Sequence, residues 1–310
     1  MRDSFVNSLE RLAREDSSVI LLTADLGFGI FEKFESLFPE QYINVGVAEQ
    51  NMTGIATGLA LEGKTVFTYS IGNFSTLRCL EQIRNDACYH NVNINIVCSG
   101  GGFTYGALGM SHHTTEDLSV MRSLPGVTVV APCNKWEAEC ATINLAKTPG
   151  VGYLRIEKNT GGEYDEEHSF QIGKAIQVKR AKKNNDVSFL VTGGIMKEVR
   201  EAVVQLESHD ISSSIISIHT LKPLDTDMII TCVKQSKLIV TVEENNVLGG
   251  LGGAVAEYCL ESGNLPLLFL RIGMKDMYSS IVGDQQYLRK HYNMDSKSIT
   301  NRVLKKLKEI

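Results

Sequence analysis

The sequence predicts an α/β protein of two domains, each a mainly parallel sheet covered by helices. Apolar, β-rich runs alternate with helix-spaced segments almost from end to end, and such alternation builds a parallel sheet with helices on both faces. One polar, highly charged stretch interrupts the alternation at positions 159–185. A chain of 310 residues exceeds one ordinary core and suits two.

In the first half, residues 19–23, 42–45, 65–69, 93–98, 127–131 and 152–156 read as short buried strands. Segments 52–61, 77–88, 115–124 and 135–146 between them carry helical spacing. The charged interruption suits an interdomain connection with room for a short strand of its own. Strands are then expected at 186–191, 214–218, 238–242 and 267–271, with helices at 196–206, 227–235 and 250–260. The expected division is a first domain over 1–165, a linker over 166–185 and a smaller second domain over 186–310.

Hydrophobic residues make up 43% and charged residues 22%, the profile of a globular protein with real cores. The net charge of −5 and the absence of a large Lys/Arg cluster argue against nucleic-acid binding. The opening MRDSFVNSLERLARED is charged throughout, unlike a signal or transit peptide. The longest uncharged run, 87–115, has the length of a membrane span. It contains Asn91, Asn93, Asn95, five glycines between Gly100 and Gly109 and the histidines His90, His112 and His113, which a bilayer would not accept. Seven cysteines, none in a CxxC pair and most within apolar stretches, read as reduced core residues of a cytoplasmic protein.

The sharpest feature is INVGVAEQNMTGIATGLALEG, residues 43–63. From Gln41 to Leu61 the only charged residue is Glu49. Small residues follow at Gly54, Ala56, Gly58 and Ala60, which let a helix approach another backbone closely. A carboxylate opening a helix that looks buried on all sides must be satisfied or functional. It complements the helix dipole, or it is a desolvated acid that shares a proton with a ligand nitrogen. Spacing alone leaves both readings open.

This segment resembles the pyrimidine-binding helix of transketolases, deoxyxylulose-phosphate synthases and 2-oxoacid dehydrogenase β subunits. The resemblance implies that Glu49 hydrogen-bonds N1′ of the thiamine-diphosphate aminopyrimidine and governs its protonation. It extends over nearly the whole chain. Thr23-Ala24-Asp25-Leu26 is similar to the strand-end loop that brings an aspartate near cofactor and substrate; a helix N-cap is the structural alternative for Asp25. In YSIGNFSTLRCLEQIRNDACY, residues 69–89, Phe74 matches an aromatic residue that stacks on the pyrimidine. Ile71 replaces another and could equally be plain core. Glu81 and Arg84 read as a surface ion pair.

The glycine-rich loop SGGGFTYGALGMSHH resembles an active-site loop, since glycines let a backbone approach a ligand. The resemblance places His112 beside the thiazolium and substrate. His113 stands where the family more often has glutamine and is a further substrate-side candidate. Arg155 in GYLRIEKN resembles a strand-end arginine that binds a substrate phosphate; a structural ion pair is the competing reading. TLKPLD and VEENNVLGGLGGAVAEY are similar to the C-terminal domain of transketolases. A dinucleotide reading of Gly250-Leu251-Gly252 fails because Val255 occupies the third glycine position.

Full-length transketolases hold the diphosphate and Mg²⁺ in an N-terminal domain through GDG and a following asparagine. No GDG occurs here. The resemblance therefore implies an N-terminal partner subunit carrying that site, in an α₂β₂ assembly, and no metal ligand in this chain. It implies transfer of a two-carbon ketol unit from a ketose to an aldehyde. Gly29, Gly100 and Leu108 stand where sugar-phosphate transketolases carry a phosphate-binding serine, a histidine and an aspartate, so a modified or nucleotide-linked sugar is expected. A 2-oxoacid dehydrogenase β-type or synthase-like carboligase subunit remains the alternative.

Overall fold

The computed structural model describes residues 1–310 except 159–160 and 165–166, so part of the expected linker lies outside the described residues. Seven strands form the first sheet: β1 (Val19–Thr23), β2 (Tyr42–Asn44), β3 (Thr65–Ile71), β4 (Ile94–Ser99), β5 (Val127–Val130), β6 (Val151–Ile156) and β10 (Thr220–Lys222). Their order is β10-β5-β6-β4-β3-β1-β2, and all pairs are parallel except β10 with β5. The central strands are apolar and fully buried, as a sheet covered on both faces requires.

The second sheet has the order β12-β11-β8-β9-β7, from β7 (Ile176–Lys179), β8 (Asn185–Val191), β9 (Ser213–Ser217), β11 (Ser236–Asn246) and β12 (Leu268–Met274). Only β7 with β9 is antiparallel. The short β10 leaves this half and extends the first sheet, with Thr220 paired to Val130. The two halves therefore share a sheet edge as well as side-chain contacts.

The principal helices are α1 (Arg2–Glu15), α2 (Glu49–Leu61), α3 (Asp117–Ser123), α4 (Lys135–Lys147), α5 (Met196–Glu207), α6 (Thr226–Gln235), α7 (Leu251–Glu261), α8 (Gln285–His291) and α9 (Ser296–Leu307). Helices α1, α8 and α9 were not expected from the sequence. Their apolar positions are sparse, although α1 still buries Phe5, Leu9 and Leu12 along one face. Caps mark several starts: Asn134 accepts the Glu137 amide at 2.8 Å, and Asp225 accepts the Met228 amide at 3.2 Å. Each satisfies an otherwise orphan donor.

Two local expectations are corrected. Segment 77–88 is a broken run ending in a π-helical turn, Ile83–Cys88, and Arg84 donates to Asn85, not to Glu81. Helix α2 is not buried on all sides. Met52, Thr53, Ala56 and Thr57 face the core, while Gln50, Asn51, Gly54, Gly58 and Leu61 are exposed. Its apolar composition hid a two-faced helix, because small residues on the outer face look like core residues.

Candidate active site

The carboxyl ends of the neighbouring strands β4, β3, β1 and β2 gather the expected residues at one rim of the first sheet, where open parallel sheets place their ligands. Asp25 follows β1, Glu49 follows β2, Ile71 ends β3 and Phe74 follows it, and His112 lies on the loop after β4.

Glu49 is the first residue of α2 and only 3% exposed. Its Oε2 accepts a 2.7 Å hydrogen bond from Arg78 Nη1, while no hydrogen bond reaches its Oε1 among the described residues. Arg78 is still 44% exposed, and its guanidinium lies 4.2 Å above the Phe74 ring, an attractive cation–π arrangement. Phe74 in turn meets the His112 ring edge-on at 5.2 Å. One chain of contacts thus joins Glu49, Arg78, Phe74 and His112. Ile71 ends β3 and is half-buried beside Gly72 and Phe74.

The loop bearing His112 is fixed from two sides. Asn73 donates to the carbonyls of Ser111 at 3.2 Å and His113 at 2.9 Å. Within the loop, Gly102 and Thr114 form a backbone bridge. His112 is half-buried, with Nδ1 3.0 Å from Ser111 Oγ. Burial, and then the neighbouring His113, pushes its imidazole below the ordinary histidine value, which favours the neutral ring. His113 points inward: it is buried, with Nε2 2.9 Å from the Gly106 carbonyl and its ring against Phe103. It therefore organises the loop from within.

Asp25 is not a helix cap. It adopts a left-handed φ of 52°, rare for a residue with a side chain, and is held by Asn44. The Asp25 amide donates to Asn44 Oδ1 at 3.0 Å, and Asn44 Nδ2 donates to Asp25 Oδ1 at 3.2 Å.

Arg155 is not brought into this group, which corrects the expectation of a substrate-binding arginine. It is 1% exposed, 3.5 Å from Asp117 and 3.9 Å from Glu157, and donates to the Glu244 carbonyl at 2.8 Å. The guanidinium joins the two halves in a buried ion network, so the ion-pair reading describes it. Glu244 accepts the Phe103 amide at 2.5 Å and also binds Gln285 and Arg289. Sequence reasoning missed Arg78, Asn73, Asn44 and Glu244. The VEENN run did carry a signal, since two adjacent carboxylates in a strand otherwise apolar need internal partners.

The other carboxylate of that pair disposes of the dinucleotide reading physically. Glu243 accepts the amides of Leu251 at 2.7 Å and Gly252 at 2.8 Å, so the α7 N-terminus is already capped by a carboxyl group. A Cβ on Gly250 would stand 2.0 Å from Glu243 Oε2, which explains the glycine.

Two family models match: the transketolase pyrimidine-binding domain over residues 1–162, and the transketolase C-terminal domain over residues 176–299. The chain belongs to the transketolase family. It is 36% identical over 314 residues to a putative transketolase C-terminal section of Methanocaldococcus jannaschii, covering 100% of this chain and 96% of that one. It is 33% identical to the 6-deoxy-6-sulfo-D-fructose transketolase subunit of a Clostridium species, covering 96% and 92%. The fold matches a split-gene transketolase solved as an inactive β4 tetramer, with a TM-score of 0.89, 29% identity, and coverage of 99% and 98%.

Membership in the transketolase family makes this a transferase-type chain and implies thiamine diphosphate as cofactor. The residues present fit its pyrimidine end. A near-buried carboxylate with one uncommitted oxygen is linked through Arg78 to the aromatic ring of Phe74. Among the described residues, no group of three or more His, Cys, Asp or Glu side chains is arranged to hold a metal ion. No helix among them is long and apolar enough to cross a membrane.

Proposed function

We propose that the chain is the C-terminal subunit of a two-chain, thiamine-diphosphate-dependent transketolase that moves a two-carbon ketol unit from a ketose donor to an aldehyde acceptor. The observation that carries this reading is the Glu49 carboxylate, nearly buried, with Oε1 uncommitted and Oε2 linked through Arg78 and Phe74 to His112. When bound, thiamine diphosphate supplies the electron sink for cleaving the bond next to a ketone. Glu49 takes the hydrogen bond of the pyrimidine N1′ and sets its protonation. Phe74 and Ile71 pack against the pyrimidine. His112, kept neutral by its surroundings, exchanges a proton with the substrate oxygen. Asp25, held rigidly by Asn44, orients the substrate, and His113 keeps the loop in register.

The diphosphate and Mg²⁺ fall to an N-terminal partner subunit in an α₂β₂ assembly. The open outer face of α2 supports a docking role: a Cβ built on Gly54 or Gly58 meets no atom within 4 Å. All seven cysteines are free, which supports a cytoplasmic setting.

A modified sugar substrate is supported by the loop and by the name of the Clostridium relative. Gly100 has a φ of +92°, and a Cβ there would lie 2.1 Å from the Tyr105 ring. Tyr105 thus fills the space that a histidine at position 100 would need.

Glu49→Gln in the complex with the partner tests the assignment. Loss of ketol transfer on the order of 10²-fold or more is expected, with the chain's fold retained by circular dichroism. Unchanged activity would refute the assignment.

A further inference from the structure

The C-terminal half holds a cleft of about 890 Å³ between the edge strand β12 and helix α9, bordered by the end of α8. It shares no lining residue with the groups around Glu49. Its walls carry Arg271, Lys275, His291, Arg302, Lys305 and Lys306, while its only acidic residue, Glu309, is paired with Lys306 at 2.6 Å. This concentration occurs on a chain whose net charge is −5, so it is not a consequence of overall composition.

Most of these cations also lack an ion-pair partner. Arg271 Nη1 donates to the Val247 carbonyl at 2.9 Å, and Arg302 Nη2 donates to the Arg271 carbonyl at 2.8 Å. Among the described residues neither arginine, nor Lys275 or Lys305, has a carboxylate partner in an ion pair. Arg302 is half-buried, and burial pushes its guanidinium below its usual range. A cation that gives up water without gaining a counter-ion is costly, and a cleft lined by one sign of charge focuses its field on an opposite ligand.

We propose that this cleft binds a small phosphorylated molecule, with Arg302 and Arg271 on the phosphate oxygens and Lys275 and Lys305 flanking them. Forked guanidinium donors match phosphate geometry. The cavity is much larger than a phosphate and lies in the range of pockets that enclose an organic ligand. Phe269, Ser298 and Asn301 supply apolar and hydrogen-bonding contacts for that organic body. A concave cleft of this size suits a phosphate ester better than an extended nucleic-acid backbone. This inference is independent of the thiamine-diphosphate reading.

The test is calorimetric titration of the full chain, without thiamine diphosphate and at low salt, with ATP, glucose 6-phosphate and a Glu/Asp-rich peptide. One-to-one binding of ATP or glucose 6-phosphate is expected with a Kd below about 1 mM. Preference between them identifies a nucleotide or a sugar phosphate as the class. Arg302→Gln should weaken binding about tenfold or more, as should Lys305→Gln, whose exposed side chain can be changed without risk to folding. Lys33→Gln, at an exposed lysine outside the cleft, should leave it unchanged. No binding of either ester up to about 10 mM, tighter binding of the peptide, or equal weakening by all three variants would overturn the proposal.

Discussion

Glu244 reaches from β11 into the first half and accepts the Phe103 amide at 2.5 Å, so the C-terminal half anchors the loop that carries His112. Its second oxygen binds Arg289, which also meets Glu198 at 3.5 Å. The anchor is an ion pair buried at both ends. Removing Glu244 leaves Arg289 only its longer contacts to Glu198 and Glu157 and takes the acceptor from the Phe103 amide, and breaking a buried pair in this way costs roughly 3–5 kcal/mol. Glu244→Ala is therefore expected to lower the unfolding free energy by that amount, read as a lower urea midpoint with an unchanged slope, and to loosen amide-exchange protection at residues 102–114. A shift below about 1 kcal/mol would contradict the clamp.

The same network makes stability depend on pH. Burial pushes the Glu157 carboxyl up to about 7, and both its oxygens lack hydrogen-bond partners. Burial likewise raises Glu243 to about 7. An unfolded glutamate titrates near 4.5, so between about 4.5 and 7 the folded state binds more protons than the unfolded state. Stability then falls as pH rises through that window. Glu157→Gln should flatten the decline measured by chemical denaturation. A wild-type stability that climbs from pH 5 to pH 7 would be the opposite result.

His112 gives a kinetic counterpart. Its imidazole is held below the ordinary value of 6.5 by burial and by His113. If the neutral ring exchanges the substrate proton, kcat/KM of the two-chain enzyme rises through an apparent pKa below 6.5 and is level above it. His112→Asn should remove that limb and lower kcat on the order of 10²-fold. A limb centred above 6.5 would assign the proton to another group.

The outer face of α2 separates folding from assembly. Gly54 and Gly58 are exposed and their Cβ positions are open. The double change Gly54→Leu with Gly58→Leu should leave the single chain at least as stable, because glycine costs about 1 kcal/mol in a helix interior. It should block co-elution with the partner subunit in size-exclusion chromatography. Normal co-elution would move the interface elsewhere.

The strand and helix alternation was legible because strands buried on both faces must be apolar throughout, as β4 and β6 are. Glu49 was legible for the related reason that one charge in an uncharged run has few acceptable explanations. Helices α8 and α9 were not, since each buries only a narrow stripe beneath charged residues, and α1 was passed over although Phe5, Val6, Leu9, Leu12 and Ala13 carry a helical spacing. The two faces of α2 were equally hidden.

The sequence by itself determined two α/β halves, a lone carboxylate at the start of a small-residue helix, and a glycine-rich loop ending in two histidines. Only the tertiary structure decided that Arg155 is a buried strut, that His113 turns inward while His112 stays half-exposed, and that Glu243 and Glu244 serve different partners. It also brought Arg78 to Glu49 from 29 residues away. Local pattern specifies which segments must bury apolar surface. The partner of a buried charge is set by which distant elements the fold brings within a few ångströms, and no spacing along the chain encodes that.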